Sequence, residues 1–157
     1  MCTLTWNTRP HGFDIFMNRD ELSTRGPALP PRVHGASPAR FIAPVDSDAG
    51  GSWIAVNERG LAVCLLNYYP PGGDPVGADA QSRGTLVLSL APSANRAELA
   101  RRLELLQPGS YRAFTLFVMS PREAPAAWWW DGHGFASRRE PPLPPITSSS
   151  FDTTAVI

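Results

Sequence analysis

The sequence predicts an α+β fold of mostly antiparallel sheet, and three observations carry that prediction. Short apolar runs separated by turn residues recur from Thr3 to Asn67. The apolar period then becomes helical between Arg83 and Leu106, and strand-length apolar runs return from Phe114. Strands first, then helices, then strands again argue for hairpin-linked sheet with helices packed on it.

Element by element, Thr3–Asn7 alternates and is β-prone, and Phe13–Met17 follows a turn at Arg9-Pro10-His11-Gly12, so the two form a hairpin. Residues 22–40 are rich in Pro, Gly, Ser and Arg and read as a long loop. Phe41–Val45 is a short strand, and Ala49-Gly50-Gly51 a turn. Trp53–Val56 and Leu61–Leu66 form a second hairpin across Asn57-Glu58-Arg59-Gly60, where Gly60 accepts positive φ. Tyr68–Ala80 is a Pro/Gly loop. Arg83–Leu90 and Arg96–Leu106 are helices, the second capped by Ser93 or Asn95 with Glu98 in its first turn. Phe114–Met119, Ala126–Trp130 and Phe135–Ser137 are strands, and Pro141–Pro145 is a stiff linker into Ile146–Phe151. Leu61–Leu66 and Phe114–Met119 are apolar on both faces, which demands cover on both sides and a layered sandwich.

The 157 residues suit one domain, spanning 1–157. With 14 basic against 14 acidic residues no field exists to hold phosphate backbones, so nucleic acid is not an expected partner. Every basic residue except histidine is arginine, which excludes lysine chemistry. Cys2 and Cys64 make no disulfide framework, and no Cys/His cluster has metal-ligand spacing, so no metal or other cofactor is expected. No apolar stretch is long enough to span a membrane and no signal peptide is evident, so the expected setting is reducing and cytoplasmic.

Cys2 follows the initiator Met1 directly. Removal of Met1 would leave Cys2 with a free α-amine beside its thiol. An α-amine titrates near ~7.7–8.0, so one residue would supply both nucleophile and general base. Position alone also fits a small buried hydrophobe at the head of a strand. Asn18-Arg19-Asp20-Glu21 breaks the apolar pattern at the end of the second strand, with Asn18 and Asp20 on one face and Arg19 and Glu21 on the other. The first hairpin brings this segment beside Cys2. Asp20 is placed to accept a hydrogen bond from the α-ammonium. Arg19 either holds a substrate carboxylate or locks the turn through Glu21 or Asp46. Asn67 ends an apolar strand, where an amide can aim at a developing oxyanion or make an Asx-turn. Gln81-Ser82-Arg83-Gly84 reads as a helix start with Ser82 as cap and Gly84 allowing close backbone approach.

Met1-Cys2, Asn18-Arg19-Asp20-Glu21, Arg25-Gly26-Pro27, Gly50-Gly51-Ser52-Trp53, Leu66-Asn67-Tyr68 and Ser82-Arg83-Gly84 stand in an order that resembles the NRDE, or Transport and Golgi organisation two, family. That family is similar to the N-terminal nucleophile hydrolases of the choloylglycine hydrolase and penicillin acylase-like group. The resemblance implies a four-layer αββα sandwich of mostly antiparallel sheets, C-terminally truncated in this chain. It implies Cys2 as nucleophile, Asp20 as partner of the α-amine and Asn67 as oxyanion donor, with Asn18 and Arg19 toward substrate. Two positions depart from those hydrolases: Met17 stands where their arginine sits, and Ile146-Thr147-Ser148-Ser149 stands where they carry a second asparagine. The implied activity is amide hydrolysis at non-peptide C–N bonds of a small-molecule amide, with self-association into a homo-oligomer left open. A second implied role is non-catalytic binding or trafficking of a lipid, acyl or haem-like ligand, linked to secretory organisation. The loops Pro27–Pro38 and Tyr68–Ala80, with Trp128, Trp129 and Trp130, would then line an apolar pocket. For the tryptophans, packing on two faces of a strand is the plainer expectation.

Overall fold

Alternation lays down the first hairpin as expected. The structure is a computed structural model and describes residues 2–70, 73, 80–106, 108–137 and 142–148. Strands β1 (Thr3–Arg9) and β2 (Gly12–Asn18) pair antiparallel from Thr3 opposite Asn18 to Arg9 opposite Gly12. Strand β10 (Ile146–Thr147) adds to the other edge of β1, giving a three-stranded sheet in the order β10-β1-β2. Met1, most of the Tyr68–Ala80 loop, the start of the Pro141–Pro145 linker and the Ser149–Phe151 end of the expected tail lie outside the described residues.

The second sheet is seven-stranded and runs in chain order through β3 (Leu29–His34), β4 (Phe41–Val45), β5 (Ile54–Asn57), β6 (Ala62–Asn67), β7 (Phe114–Ser120), β8 (Glu123–Trp130) and β9 (Phe135–Ser137). Its paired strands are all antiparallel. β3 corrects the expected long loop over residues 22–40. It contains Pro30 and Pro31, which lack the N–H a ladder needs and so argue against strand. The strand survives because it is an edge, paired only with β4, and its register shifts between Leu29 and Arg32 across the prolines.

Helices α1 (Gly84–Leu90) and α2 (Arg96–Leu105) cover one face of this sheet. Asn95 caps α2 by accepting from Glu98 N at 2.9 Å, and Glu98 Oε2 accepts from Ala94 N at 2.8 Å. Ser82 does not cap α1. The N-cap position is Arg83, whose side chain makes no capping bond and donates instead through Nη1 to Ala113 O at 2.8 Å, and Ser82 contributes its carbonyl to Thr85 Oγ1. Gly84 makes the expected close approach. A Cβ there would sit 2.8 Å from Ser52 N, and one at Gly51 would sit 2.6 Å from Gly84 C. Backbone therefore lies on backbone, closed by Ser52 N donating to Gly84 O at 3.1 Å.

Strands β6 and β7 are buried almost throughout, as their two-faced apolarity requires. Val63, Leu65, Leu116 and Val118 face Leu86, Leu90, Leu99 and Leu103 of the helices. Cys64, Leu66, Phe117 and Met119 face Leu4 and Trp6 of the small sheet, with Trp6 and Phe117 rings 4.4 Å apart. The described residues thus build helices on sheet on sheet, three of the four expected layers. Trp128 and Trp130 pack into the helix-side core and Trp129 into the core between sheets. The tryptophan run is strand packing on two faces, not a pocket wall.

Candidate active site

The small sheet's hairpin register decides what meets at its open end. Thr3 faces Asn18, so one step outward Cys2 is carried across from Arg19. At the same end of the second sheet β6 terminates in Asn67, and the Gly51–Gly84 contact holds the start of α1 alongside. Between them opens a cleft of about 770 Å³ whose walls include Cys2, Arg19, Asp20, Asn67, Ser82 and Arg83. The cleft therefore gathers Cys2, Asp20, Asn67 and Arg19, while Asn18 stands behind Asp20.

Cys2 is 8% exposed and belongs to the core between the sheets. Its nitrogen donates to Ser148 Oγ at 2.7 Å, and Ser148 N donates back to the Cys2 carbonyl at 2.9 Å. Asp20 accepts from Asn18 Nδ2 at 2.7 Å. The bond from Asn18 helps hold the Asp20 carboxyl below the ordinary carboxylate range. Asn67 Nδ2 donates to the Tyr69 hydroxyl at 3.2 Å.

Arg19 is committed to the turn. Its Nη2 lies 2.5 Å from Asp46 Oδ2 and 2.6 Å from Glu21 Oε1, and its guanidinium stands 4.4 Å from the Trp53 ring centre. Arg25 joins through Nη2, 2.7 Å from each Asp46 carboxylate oxygen. Asp46 Oδ1 also accepts from Asp48 N at 3.0 Å and Ala49 N at 3.1 Å. Of the two readings open for Arg19, the ion pairs match the locked turn. They fix the wall beside Cys2, in a cleft that Arg83 and Arg112 also line.

Burial pushes the Asp46 carboxyl up, but the Ala49 and Asp48 N–H groups and the Arg19 and Arg25 guanidiniums outweigh it, so it ionises below the usual range. A depressed folded pKa stabilises the fold above the unfolded value and loses that contribution as pH falls through the folded one. Asp46→Asn is therefore expected to cost about 2 kcal/mol at pH 7, the loss of a partly buried paired charge. The gap to wild type should hold from roughly pH 5 to 8 and shrink below about pH 4. Urea melts of both proteins at pH 7 and pH 3 check this, and a gap independent of pH refutes it.

The sequence singles out no role for Tyr69, and it marks Ser148 only as part of Ile146-Thr147-Ser148-Ser149, the stretch that lacks the second asparagine. Nothing local marks the tie of Ser148 to Cys2, which spans 146 positions. Tyr69 lies two residues beyond Asn67 and shares the cleft. Cys64 is wholly buried among apolar neighbours, and burial alone pushes its thiol far up, so it is inert core. Among the described residues no group of three His, Cys, Asp or Glu side chains is arranged to hold a metal, and no helix is long and apolar enough to cross a membrane.

The fold resembles that of penicillin V acylase from Agrobacterium tumefaciens, an N-terminal nucleophile hydrolase, with a TM-score of 0.56 at 14% identity. The likeness covers 99% of this chain but 55% of the acylase chain, so the chain spans about half of that structure. No curated protein matches the sequence. The profile of one family, described as Transport and Golgi organisation 2, matches residues 1–144. Nine-tenths of the sequence therefore carries that family's pattern, and the chain belongs to the Transport and Golgi organisation 2, or NRDE, family.

Proposed function

We propose that the chain is an N-terminal cysteine amidohydrolase acting on non-peptide acyl-amide bonds in the cytoplasm. The observation that carries the reading is the meeting of Cys2, Asp20 and Asn67 in one cleft. Loss of Met1 frees the Cys2 amine, which takes the thiol proton as sulfur attacks the acyl carbon. The negative charge gathers on the carbonyl oxygen, where Asn67 Nδ2 donates after exchanging its Tyr69 partner. Collapse expels the amine, which takes the proton back from the α-ammonium and leaves a thioester. Water, deprotonated by the same amine, releases the carboxylic acid and restores the thiol. Asn18 orients Asp20, whose carboxylate holds the ammonium between these steps. Arg19 acts through the wall it fixes.

The lipid- or haem-binding alternative draws no support from the cleft. Arg19, Asp20, Glu21, Arg25 and Asp46 line it, and the three adjacent tryptophans lie in the two cores. The reading is tested with a panel of N-acyl amides and acyl thioesters, after intact-mass analysis has confirmed loss of Met1. Turnover is expected from the mature chain and none from a chain kept behind an uncleaved N-terminal extension. Retention of Met1 in the cellular protein, or equal turnover by both forms, overturns it.

A further inference from the structure

We propose that Ser148 is a positioning residue for the Cys2 amine: its hydroxyl tethers the nitrogen that receives the thiol proton. The inference rests on the proposed hydrolase reading. Thr3 faces Thr147 and Leu4 faces Ile146, so the register carried outward sets Ser148 opposite Cys2. Opposed residues of a hydrogen-bonded antiparallel pair exchange both backbone bonds. Half of that exchange is present, Ser148 N donating to the Cys2 carbonyl at 2.9 Å. The other half is replaced, because Cys2 N donates to Ser148 Oγ at 2.7 Å instead of to a carbonyl. A side chain has taken over the ladder at the nitrogen the reaction uses.

The consequence lies in the valence of a primary amine. That nitrogen is a backbone N–H while Met1 is attached and becomes the α-amine once Met1 leaves. A neutral amine has two N–H groups and one lone pair, and it serves as base only when the lone pair faces its own sulfur. Rotation about N–Cα would otherwise spread the lone pair over three directions. Ser148 Oγ accepts one N–H and, in the hydrolase reading, the Asp20 carboxylate across the cleft takes the other, so the lone pair is left for the thiol. The S–H electron pair stays on sulfur, the proton passes to nitrogen, and Ser148 exchanges no proton. Ser148 is 3% exposed, which keeps water from competing for Oγ. The hydroxyl is also neutral, so it fixes the nitrogen without adding to the negative charge that Asp20 already brings.

The test reads the thiol without any substrate. Mature protein, with Met1 loss confirmed by mass, is alkylated with iodoacetamide at pH 7, and the rate at Cys2 is followed by peptide mass. Ser148→Ala should slow alkylation about tenfold, the worth of one well-placed hydrogen bond, while Ser148→Thr, which keeps the hydroxyl, restores most of the rate. Should Ser148→Ala melt early, Ser148→Cys fills the same volume with a weak acceptor and should be slowed as much. Wild-type alkylation in Ser148→Ala, or equal slowing in the Thr and Ala variants, overturns the inference. Failure of the hydrolase reading looks different: no acyl amide is turned over by the wild type, while alkylation still depends on the Ser148 hydroxyl.

Discussion

Cys2→Ala is expected to abolish acyl turnover by at least about a thousandfold while leaving a folded protein, because nucleophile and base lie on one residue and both functions lose their object together. Cys2→Ser keeps a nucleophilic atom but one far harder to deprotonate, and it should retain only a trace of the rate. The structural cost is small. Cys2 contributes a small, 8% exposed side chain to the rim of the core between the sheets. Its truncation removes one sulfur, costing roughly 1 kcal/mol and moving the melting temperature by about 2–4 °C. Cys64 cannot take over, because it is fully buried and burial disfavours its thiolate. Cys64→Ala should therefore leave turnover unchanged and lower stability instead. Steady-state assays beside thermal melts separate the two effects. A Cys2→Ala protein that melts normally and still turns over the substrate of the wild type refutes the assignment of the nucleophile.

The same cleft shows what a linear reading can reach. The alternation of Asn18-Arg19-Asp20-Glu21 is local, and the structure keeps it: Asn18 bonds Asp20, and Arg19 pairs with Glu21. The tight turn at Gly60, with φ of 80°, and the Asn95 cap were legible for the same reason, since each interaction closes within a few residues. The two-faced burial of β6 and β7 was legible because a strand's period reports both neighbours at once. β3 was hidden because its prolines argue correctly against a central strand, and nothing in residues 22–40 announces that this one lies at an edge. Ser82 shows the opposite failure. Its type fits a cap, but the Gly51–Gly84 backbone contact fixes how the chain enters α1. Ser148 was illegible because only the β10–β1 register brings it to Cys2.

Asn57 is the sharpest case of local sequence carrying a distant bond, and Asn57→Ala is expected to cost about 3–5 kcal/mol. It opens the turn Asn57-Glu58-Arg59-Gly60, where its residue type suits a hairpin connection and attracts no further notice. In the fold it is 6% exposed and satisfies both ends of its amide. Oδ1 accepts from Arg59 N and Leu61 N, each at 3.0 Å, closing the turn. Nδ2 donates to Ala91 O at 2.9 Å and Ser93 O at 2.8 Å, receiving the chain as it leaves α1. One side chain thus bonds the β5–β6 hairpin to the far end of the helix whose start borders the cleft. Alanine would strand the Leu61 N–H and the Ala91 and Ser93 carbonyls where water is excluded, and each such group costs more than a bond between exposed partners, while the Arg59 N–H lies nearer solvent. Asn57→Asp separates the two halves of the role. It keeps an acceptor for the turn but sets a carboxylate against the Ala91 and Ser93 carbonyls. That carboxyl would ionise at a raised pKa in the fold, so its penalty should grow as pH rises through about 4 and ease where protonation lets it donate. Urea melts at pH 3 and pH 7 therefore distinguish the variants: the Ala deficit is level with pH, and the Asp deficit is larger at pH 7. An Asn57→Ala protein within about 1 kcal/mol of wild type would show that water replaces all four bonds and that the amide does not tie α1 to the hairpin.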